Sequence, residues 1–240
     1  MGLPIYIERR YALWAVLLVA PIPTLGEAAA FAWWPGTAVG MAAYVACKLW
    51  ILAVPAAWWL LVLRKSWSWS PIRRSRRREA LLVAIGTGIL IATAMLSFYA
   101  LATHLHWLDA ARPRMRAQAA RTHLDVLWVY LLFAIVISSL NALLEEIVWR
   151  WFVLRSLRRY LRPSLAVMLS AALFTLHHTF ALLHQADTFA VVLGSLGVFT
   201  GGIVLGILYR RYQSIWPGFI THIFADFGMF AIGWLMIYRT

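Results

Sequence analysis

The sequence is poor in cysteine and in charged residues, and both shortages limit what this protein can be. Its 240 residues include one cysteine and nine acidic residues, and only 13% of all residues are charged. The lone Cys47 excludes a disulfide framework and a cysteine-based metal site within the chain. In soluble domains about a quarter of all residues are charged, so the low share of charged residues here argues against a soluble protein.

Apolar residues make up 63% of the chain and are arranged in long runs. A transmembrane helix needs about 20 predominantly apolar residues. The sequence therefore predicts an all-α, polytopic transmembrane bundle of seven or eight helices, forming one integral membrane domain over residues 1–240. The predicted spans are residues 11–34, 37–63, 80–102, 126–151, 165–183, 189–209 and 215–238.

The basic residues, which give a net charge of +13, lie at the ends of the apolar runs. This arrangement is typical of membrane topology, so we expect contact with a lipid bilayer and no nucleic-acid partner. Because cytoplasmic loops are enriched in arginine and lysine, the pattern predicts a cytoplasmic N-terminus. The residues assigned to that side are Arg9, Arg10, Arg64, Lys65, Arg73, Arg74, Arg76, Arg77, Arg78, Arg155, Arg158, Arg159, Arg162, Arg210 and Arg211.

The segment 103–125 fits this topology least well. It carries Arg112, Arg114, Arg116 and Arg121 on the predicted outer side. Such a segment could be an amphipathic helix at the membrane surface or an additional span. Whether the bundle has seven or eight transmembrane helices depends on which of these two structures the segment forms.

Acidic residues and histidines occur inside the predicted spans. The acids are Glu27, Glu145, Glu146 and Asp226, and the histidines are His177, His178 and His222. A charge at bilayer depth costs at least about 2.5–3.5 kcal/mol, so such residues normally face the protein interior and serve its function. Their spacing indicates which of them can act together.

Glu145 and Glu146 point about 100° apart on a helix, so they are expected to have different roles. Glu146 lies four residues before Arg150, and the two can form an ion pair on one helix face. Glu145 is then available for another task, although both glutamates could instead belong to one structural ion-pair network. If the helix continues past Trp151 to about Tyr160, Glu145 and His178 lie at similar depths in the bilayer. We therefore expect this longer helix.

Two histidines have partners at helical spacing. His178 follows Phe174 by four residues, and His222 precedes Asp226 by four, so each pair shares one helix face. An aspartate one turn away can orient a histidine ring. His177 points in a different direction from His178 and is the weaker candidate.

Glu27 is the remaining acid within a span. It lies close to Pro21 and Pro23, which are expected to kink the first helix. We expect Glu27 to be structural, with Lys48 as a candidate partner.

These residues form three motifs in a fixed order on successive apolar helices: Glu145-Glu146-x-x-x-Arg150, Phe174-x-x-x-His178 and His222-x-x-x-Asp226. Together they resemble the CPBP family, the intramembrane proteases that include CAAX prenyl endopeptidase-like and bacteriocin-processing members. The resemblance covers about residues 126–230. Two positions differ, since Trp151 stands where a glycine is common and Asp226 replaces the asparagine of the prenyl-protein branch.

The resemblance implies an intramembrane endopeptidase acting on a membrane protein or peptide, with its catalytic half at residues 126–230. It implies that Glu145 with His178 activates a water, and that His222 with Asp226 faces the oxyanion. We expect these four side chains to converge in one cavity, in a prokaryotic cytoplasmic membrane. The resemblance leaves open whether the substrate is prenylated.

A metal ion and other functions are alternatives. Glu145, His178, His222 and Asp226 form a nitrogen and oxygen ligand set that zinc could bind, as in a metalloprotease. We prefer a metal-free mechanism, because the motif spacing resembles that of a family in which glutamate and histidine alone can account for water activation. The same polar residues could serve a transporter or proton relay, or persist in a non-catalytic immunity or scaffold protein. Against a transporter, the sequence has no repeated halves.

Overall fold

The computed structural model describes residues 5–64, 70–109, 111–184 and 188–239, with side chains described from Tyr11 onward. Lys65, one of the basic residues assigned to the cytoplasmic side, lies outside the described residues. The regular structure in these ranges is helical, and seven helices are long and apolar enough to cross a membrane. The predicted class, an all-α transmembrane bundle, is confirmed.

The seven long helices follow the predicted spans with small changes at their ends. They are α1 (Tyr11–Trp33), α2 (Ala38–Val62), α3 (Arg74–His104), α5 (Leu127–Leu157), α6 (Pro163–Leu183), α7 (Thr188–Tyr212) and α8 (Trp216–Tyr238). The segment 103–125 contains a short helix, α4 (Ala111–Arg121), which is not among the candidate spans. Helix α5 continues beyond Trp151, as expected, and ends at Leu157.

Helix α1 is interrupted where its prolines occur. A helix Ile5–Val19 ends in a turn, and a second segment, Ile22–Ala28, continues into the π-helical stretch Ala29–Trp33. Proline lacks an amide hydrogen and cannot extend the hydrogen-bond ladder of a helix interior. The break places Glu27 in the second segment, where it is buried.

Helix α5 changes its winding on both sides of Glu145. Two π-helical stretches, Ile137–Asn141 and Glu146–Leu154, flank the four-residue α-helical segment Ala142–Glu145. Single π-turns inside α-helices are frequent at functional sites, because the wider turn changes the direction of the side chains that follow. The glutamate pair therefore lies at the junction of two helical geometries.

The chain divides into two compact units. Residues 1–71 and 144–215 form the first, which contains α1, α2, the second part of α5, α6 and α7. In this unit α6 and α7 approach closely through a Gly-x-x-x-Gly pattern. A Cβ atom on Gly202 would lie 3.1 Å from Ala171 Cβ, and one on Gly206 would lie 2.9 Å from Val167 Cγ1. Because these two glycines have no side chain, α7 can lie directly on α6, the helix that carries His177 and His178.

Residues 72–143 and 216–240 form the second unit, with α3, α4, the first part of α5, and α8. Helix α8 lies along α3. The Thr221 hydroxyl donates a hydrogen bond to the Ala84 carbonyl at 3.0 Å, and both residues are buried. At the far end of α8, the Arg116 guanidinium on α4 donates to the Met236 carbonyl at 3.1 Å. An arginine there satisfies a carbonyl of the last turn that has no partner within the helix.

The close contact between α3 and α8 gives a testable prediction. A Cβ atom on Gly88 would lie 2.7 Å from Phe224 Cβ, too close without a shift of the helices. We expect Gly88→Ala to lower the free energy of unfolding by about 1–3 kcal/mol, the usual cost of overpacking. Denaturant unfolding in detergent micelles measures this change in the free energy of unfolding.

Gly86→Ala is the matched control, because nothing lies within 4 Å of a Cβ at that position of the same helix. Alanine favours helix over glycine by up to about 1 kcal/mol, so this variant should be neutral or more stable. Equal stability of the two variants would contradict the packing described.

Candidate active site

Glu145 lies at the centre of a buried polar cluster in the first unit. It is 6% exposed, and its two carboxylate oxygens face two histidines of α6. His177 Nε2 lies 3.7 Å from Oε1, and His178 Nε2 lies 3.9 Å from Oε2. Both distances exceed the range of a direct hydrogen bond. A water molecule lying beside either pair could hydrogen-bond to both the carboxylate and the ring.

His177 contributes to this cluster, contrary to the expectation that it points elsewhere. Neighbouring residues on α6 point about 100° apart, and Glu145 lies within that angle, so one oxygen faces each ring. The signal in the sequence was the His177-His178 pair itself, which puts two imidazoles on adjoining faces of one apolar helix.

Aromatic side chains hold both imidazole rings. The His177 ring stacks on the fully buried Trp149 with an interplanar angle of 3° and a centroid distance of 5.5 Å. Phe174 presents its ring nearly edge-on to His178, with centroids 4.7 Å apart. The Ser170 hydroxyl donates to the Trp149 carbonyl at 3.0 Å and so connects α6 to α5. These contacts restrict the rotation of the rings that face Glu145.

Glu146 and Arg150 form a buried ion pair within α5. Arg150 Nη1 lies 3.2 Å from Glu146 Oε1, and both side chains are almost completely buried. The guanidinium carbon also lies 4.6 Å from the centroid of the Phe174 ring, a cation–π contact. Phe174 thus touches both the ion pair and His178. The two adjacent glutamates differ in their surroundings, one neutralised by a cation and one facing imidazoles.

Glu27 also belongs to the electrostatic environment of this cluster. Its segment of α1, Ile22–Ala28, packs against α6. Glu27 interacts electrostatically with Lys48 of α2 and with Glu145. The interaction with Lys48 agrees with the partner expected for it. The interaction with Glu145 adds a second carboxylate to the surroundings of the site, which helical spacing within one element could not indicate.

His222 and Asp226 lie on α8 in the second unit. His222 Nε2 lies 3.9 Å from Asp226 Oδ1, and His222 is buried. The neighbouring Thr221 holds this turn of α8 against α3 through its bond to Ala84. The convergence of this pair with Glu145 and His178 stays a prediction.

Three side chains of the first unit are close enough to share a metal ion. One ligand atom from each of Glu145, His177 and His178 lies within 4.8 Å of the other two. The group consists of described residues only. It shares Glu145 and His178 with the zinc ligand set that the sequence offered as an alternative, adds His177 and does not include His222 or Asp226.

The fold and this cluster define an integral membrane protein with buried carboxylates and histidines, residue types that inside a membrane usually serve a function. The model of a protein family described as type II CAAX prenyl endopeptidase Rce1-like matches residues 127–228. This segment is less than half of the chain, but it contains all three motifs. The predicted family resemblance is confirmed there, and it supports an intramembrane endopeptidase of the CAAX type at the level of the family. Neither curated proteins nor solved structures give a match.

Proposed function

We propose that this protein is an intramembrane endopeptidase that hydrolyses a peptide bond in a membrane-associated protein or peptide. The observation that carries the proposal is the buried Glu145 carboxylate facing two imidazoles, within the segment that matches the protease family. The basic residues favour a cytoplasmic N-terminus, and we propose a prokaryotic cytoplasmic membrane as the location.

Glu145 acts as the general base in this proposal. A water between Glu145 and His178 can hydrogen-bond to both, given their 3.9 Å separation. Glu145 accepts a proton as the water oxygen attacks the carbonyl carbon, and His178 orients the water. The same proton then passes from Glu145 to the leaving nitrogen as the C–N bond breaks. Glu145 returns to its ionised form at the end of the cycle.

Glu146 is less suited to this role. Its carboxylate is almost completely buried and lies 3.2 Å from the Arg150 guanidinium, so it is already engaged in an ion pair. Arg150 is in turn held by the Phe174 ring. We assign Glu146 a structural function, which is to neutralise Arg150 inside the membrane.

His222 and Asp226 receive their roles from the family resemblance. Hydrolysis passes through a tetrahedral intermediate whose oxyanion needs hydrogen-bond donors. In the proposed mechanism His222 donates to this oxyanion, and Asp226 orients the His222 ring from one helical turn away. An ionised Asp226 would repel the oxyanion directly, so it acts through His222.

A comparison of membrane peptides tests the function. Cells producing the wild-type protein should contain new N-termini of membrane-associated proteins that cells producing Glu145→Ala lack. Asp109→Asn is the control, because Asp109 is exposed and lies outside the long helices. Identical sets of termini in wild type and Glu145→Ala would contradict a peptidase and favour a relay or a non-catalytic protein.

Asp226→Asn separates the metal-free mechanism from a zinc site that includes Asp226. Asparagine is neutral, so it can orient His222 or donate to the oxyanion itself, and we expect turnover within about tenfold of wild type, far from the 10²–10⁴-fold contribution of a general base. His222→Ala should lose turnover. Parallel loss of activity and of bound metal in Asp226→Asn would contradict the metal-free mechanism. Cleavage rates and metal content of the purified variants decide between the two.

A further inference from the structure

The cluster around Glu145 contains one imidazole more than the proposed hydrolysis uses. His177 faces the carboxylate at 3.7 Å, yet the mechanism assigns no step to it. The residue is 5% exposed, and its Nε2 is the ring nitrogen aimed at Glu145 Oε1. A buried imidazole aimed at a buried carboxylate can bind a metal ion through that nitrogen.

We propose that Glu145, His177 and His178 bind a zinc ion and leave one coordination position open. Zinc lies about 2.0–2.1 Å from nitrogen and oxygen ligands, so two ligands of a tetrahedral ion are roughly 3.4 Å apart. The two distances from the Glu145 oxygens are 3.7 and 3.9 Å, and all three ligand atoms lie within 4.8 Å of each other. Side-chain movements below about 1 Å would bring them to zinc distances.

The ligand types favour zinc over other common divalent cations. Two imidazoles and one carboxylate, with an open fourth position, are a set that binds zinc in hydrolytic enzymes. Magnesium and calcium prefer oxygen ligands throughout, so two nitrogens argue against them. A divalent ion would also compensate the carboxylate charge of Glu145 inside the membrane.

Packing contacts hold the two proposed histidine ligands in fixed directions. Trp149 stacks on His177, and Phe174 contacts His178, so both rings are held in their present directions. A site whose ligands are fixed by packing loses little side-chain entropy when the ion binds. The bond from Ser170 to the Trp149 carbonyl keeps the two ligand-bearing helices together.

Zinc at this site would affect the proposed reaction. The ion would take a lone pair of the Glu145 carboxylate, which is the group that accepts the proton of the water. Zinc and the activated water would therefore compete for Glu145. This consequence rests on the proposed function, whereas the binding of zinc does not.

Metal content of the purified full-length protein tests the site. The protein is treated with chelator, reloaded with zinc chloride, freed of excess metal and measured by mass spectrometry. We expect about one zinc per chain, as for a single structural or catalytic site. His177→Gln should weaken zinc affinity at least tenfold, and the zinc-dependent rise in melting temperature should shrink with it.

Two further variants identify the ligands. His184→Gln is the matched control, because His184 lies at the end of the same helix and bonds to the Phe180 carbonyl. It should bind zinc like wild type, and so should His222→Ala. Absence of stoichiometric zinc in the wild type, unchanged affinity in His177→Gln, or loss of zinc in His222→Ala would each overturn the proposed ligand set.

Cleavage by the chelated protein tests the function separately. A protein that binds zinc through these residues but cleaves nothing would keep the metal site and disprove the peptidase. A protein that cleaves after chelation but binds no zinc would disprove the metal site alone.

Discussion

Glu145→Gln is expected to lower the cleavage rate by about 10²–10⁴-fold, the usual contribution of a general base. Glutamine has nearly the same shape as glutamate but cannot accept the proton of the attacking water. The substitution also leaves the Glu146–Arg150 ion pair intact, so the fold should not change. The effect should therefore appear in the rate and not in the stability.

Purified variants in lipid nanodiscs allow both quantities to be measured. The rate is taken with a peptide that spans a cleavage site found in the membrane comparison, and the stability from thermal unfolding. Asp109→Asn removes an exposed acid outside the long helices and should match wild type in both measurements. A Glu145→Gln protein that turns over at a wild-type rate would exclude Glu145 as the base.

Glu146→Gln is expected to lower the free energy of unfolding by about 3–5 kcal/mol, the cost of leaving one charge of a buried ion pair alone. Arg150 is 2% exposed, so its guanidinium cannot turn to solvent when the carboxylate is removed. The Phe174 ring still contacts the guanidinium, but a cation–π contact offsets only part of the loss.

A double variant shows whether the pair or the space it fills is important. Replacing both charges in Glu146→Leu/Arg150→Met leaves no buried charge, and such replacements are often neutral or stabilising. We expect the double variant to recover most of the stability lost in Glu146→Gln, as measured by denaturant unfolding. If Glu145→Gln unfolds and Glu146→Gln only loses turnover, the roles of the two glutamates are reversed.

The end of the fourth helix shows that a charge within a span need not mark its boundary. The apolar run alone indicated an end at residue 151, whereas matching the depths of Glu145 and His178 predicted a helix continuing to about Tyr160. The helix extends to Leu157 because Arg150 is neutralised by Glu146 and buried, and because Trp151 packs on Trp59 at a centroid distance of 4.5 Å. A charge inside a span therefore did not mark the membrane boundary.

The sequence by itself determined the features that depend on neighbours along one helix. The apolar runs predicted seven long helices, since crossing a bilayer needs a minimum length of apolar chain. The spacing of Glu146 and Arg150 predicted their pairing, because residues four apart on a helix are adjacent in space. The order of the three motifs indicated the family before any contact was known.

Only the tertiary structure decided which side chains meet across helices. Spacing gives the angle between His177 and His178, but not the direction from which Glu145 approaches them. That direction depends on how α6 is rotated against α5, which the stacking of Trp149 on His177 and the Ser170 bond to the Trp149 carbonyl hold in place. Helical periodicity therefore ranked His177 below His178, whereas packing between two helices placed both beside the same carboxylate.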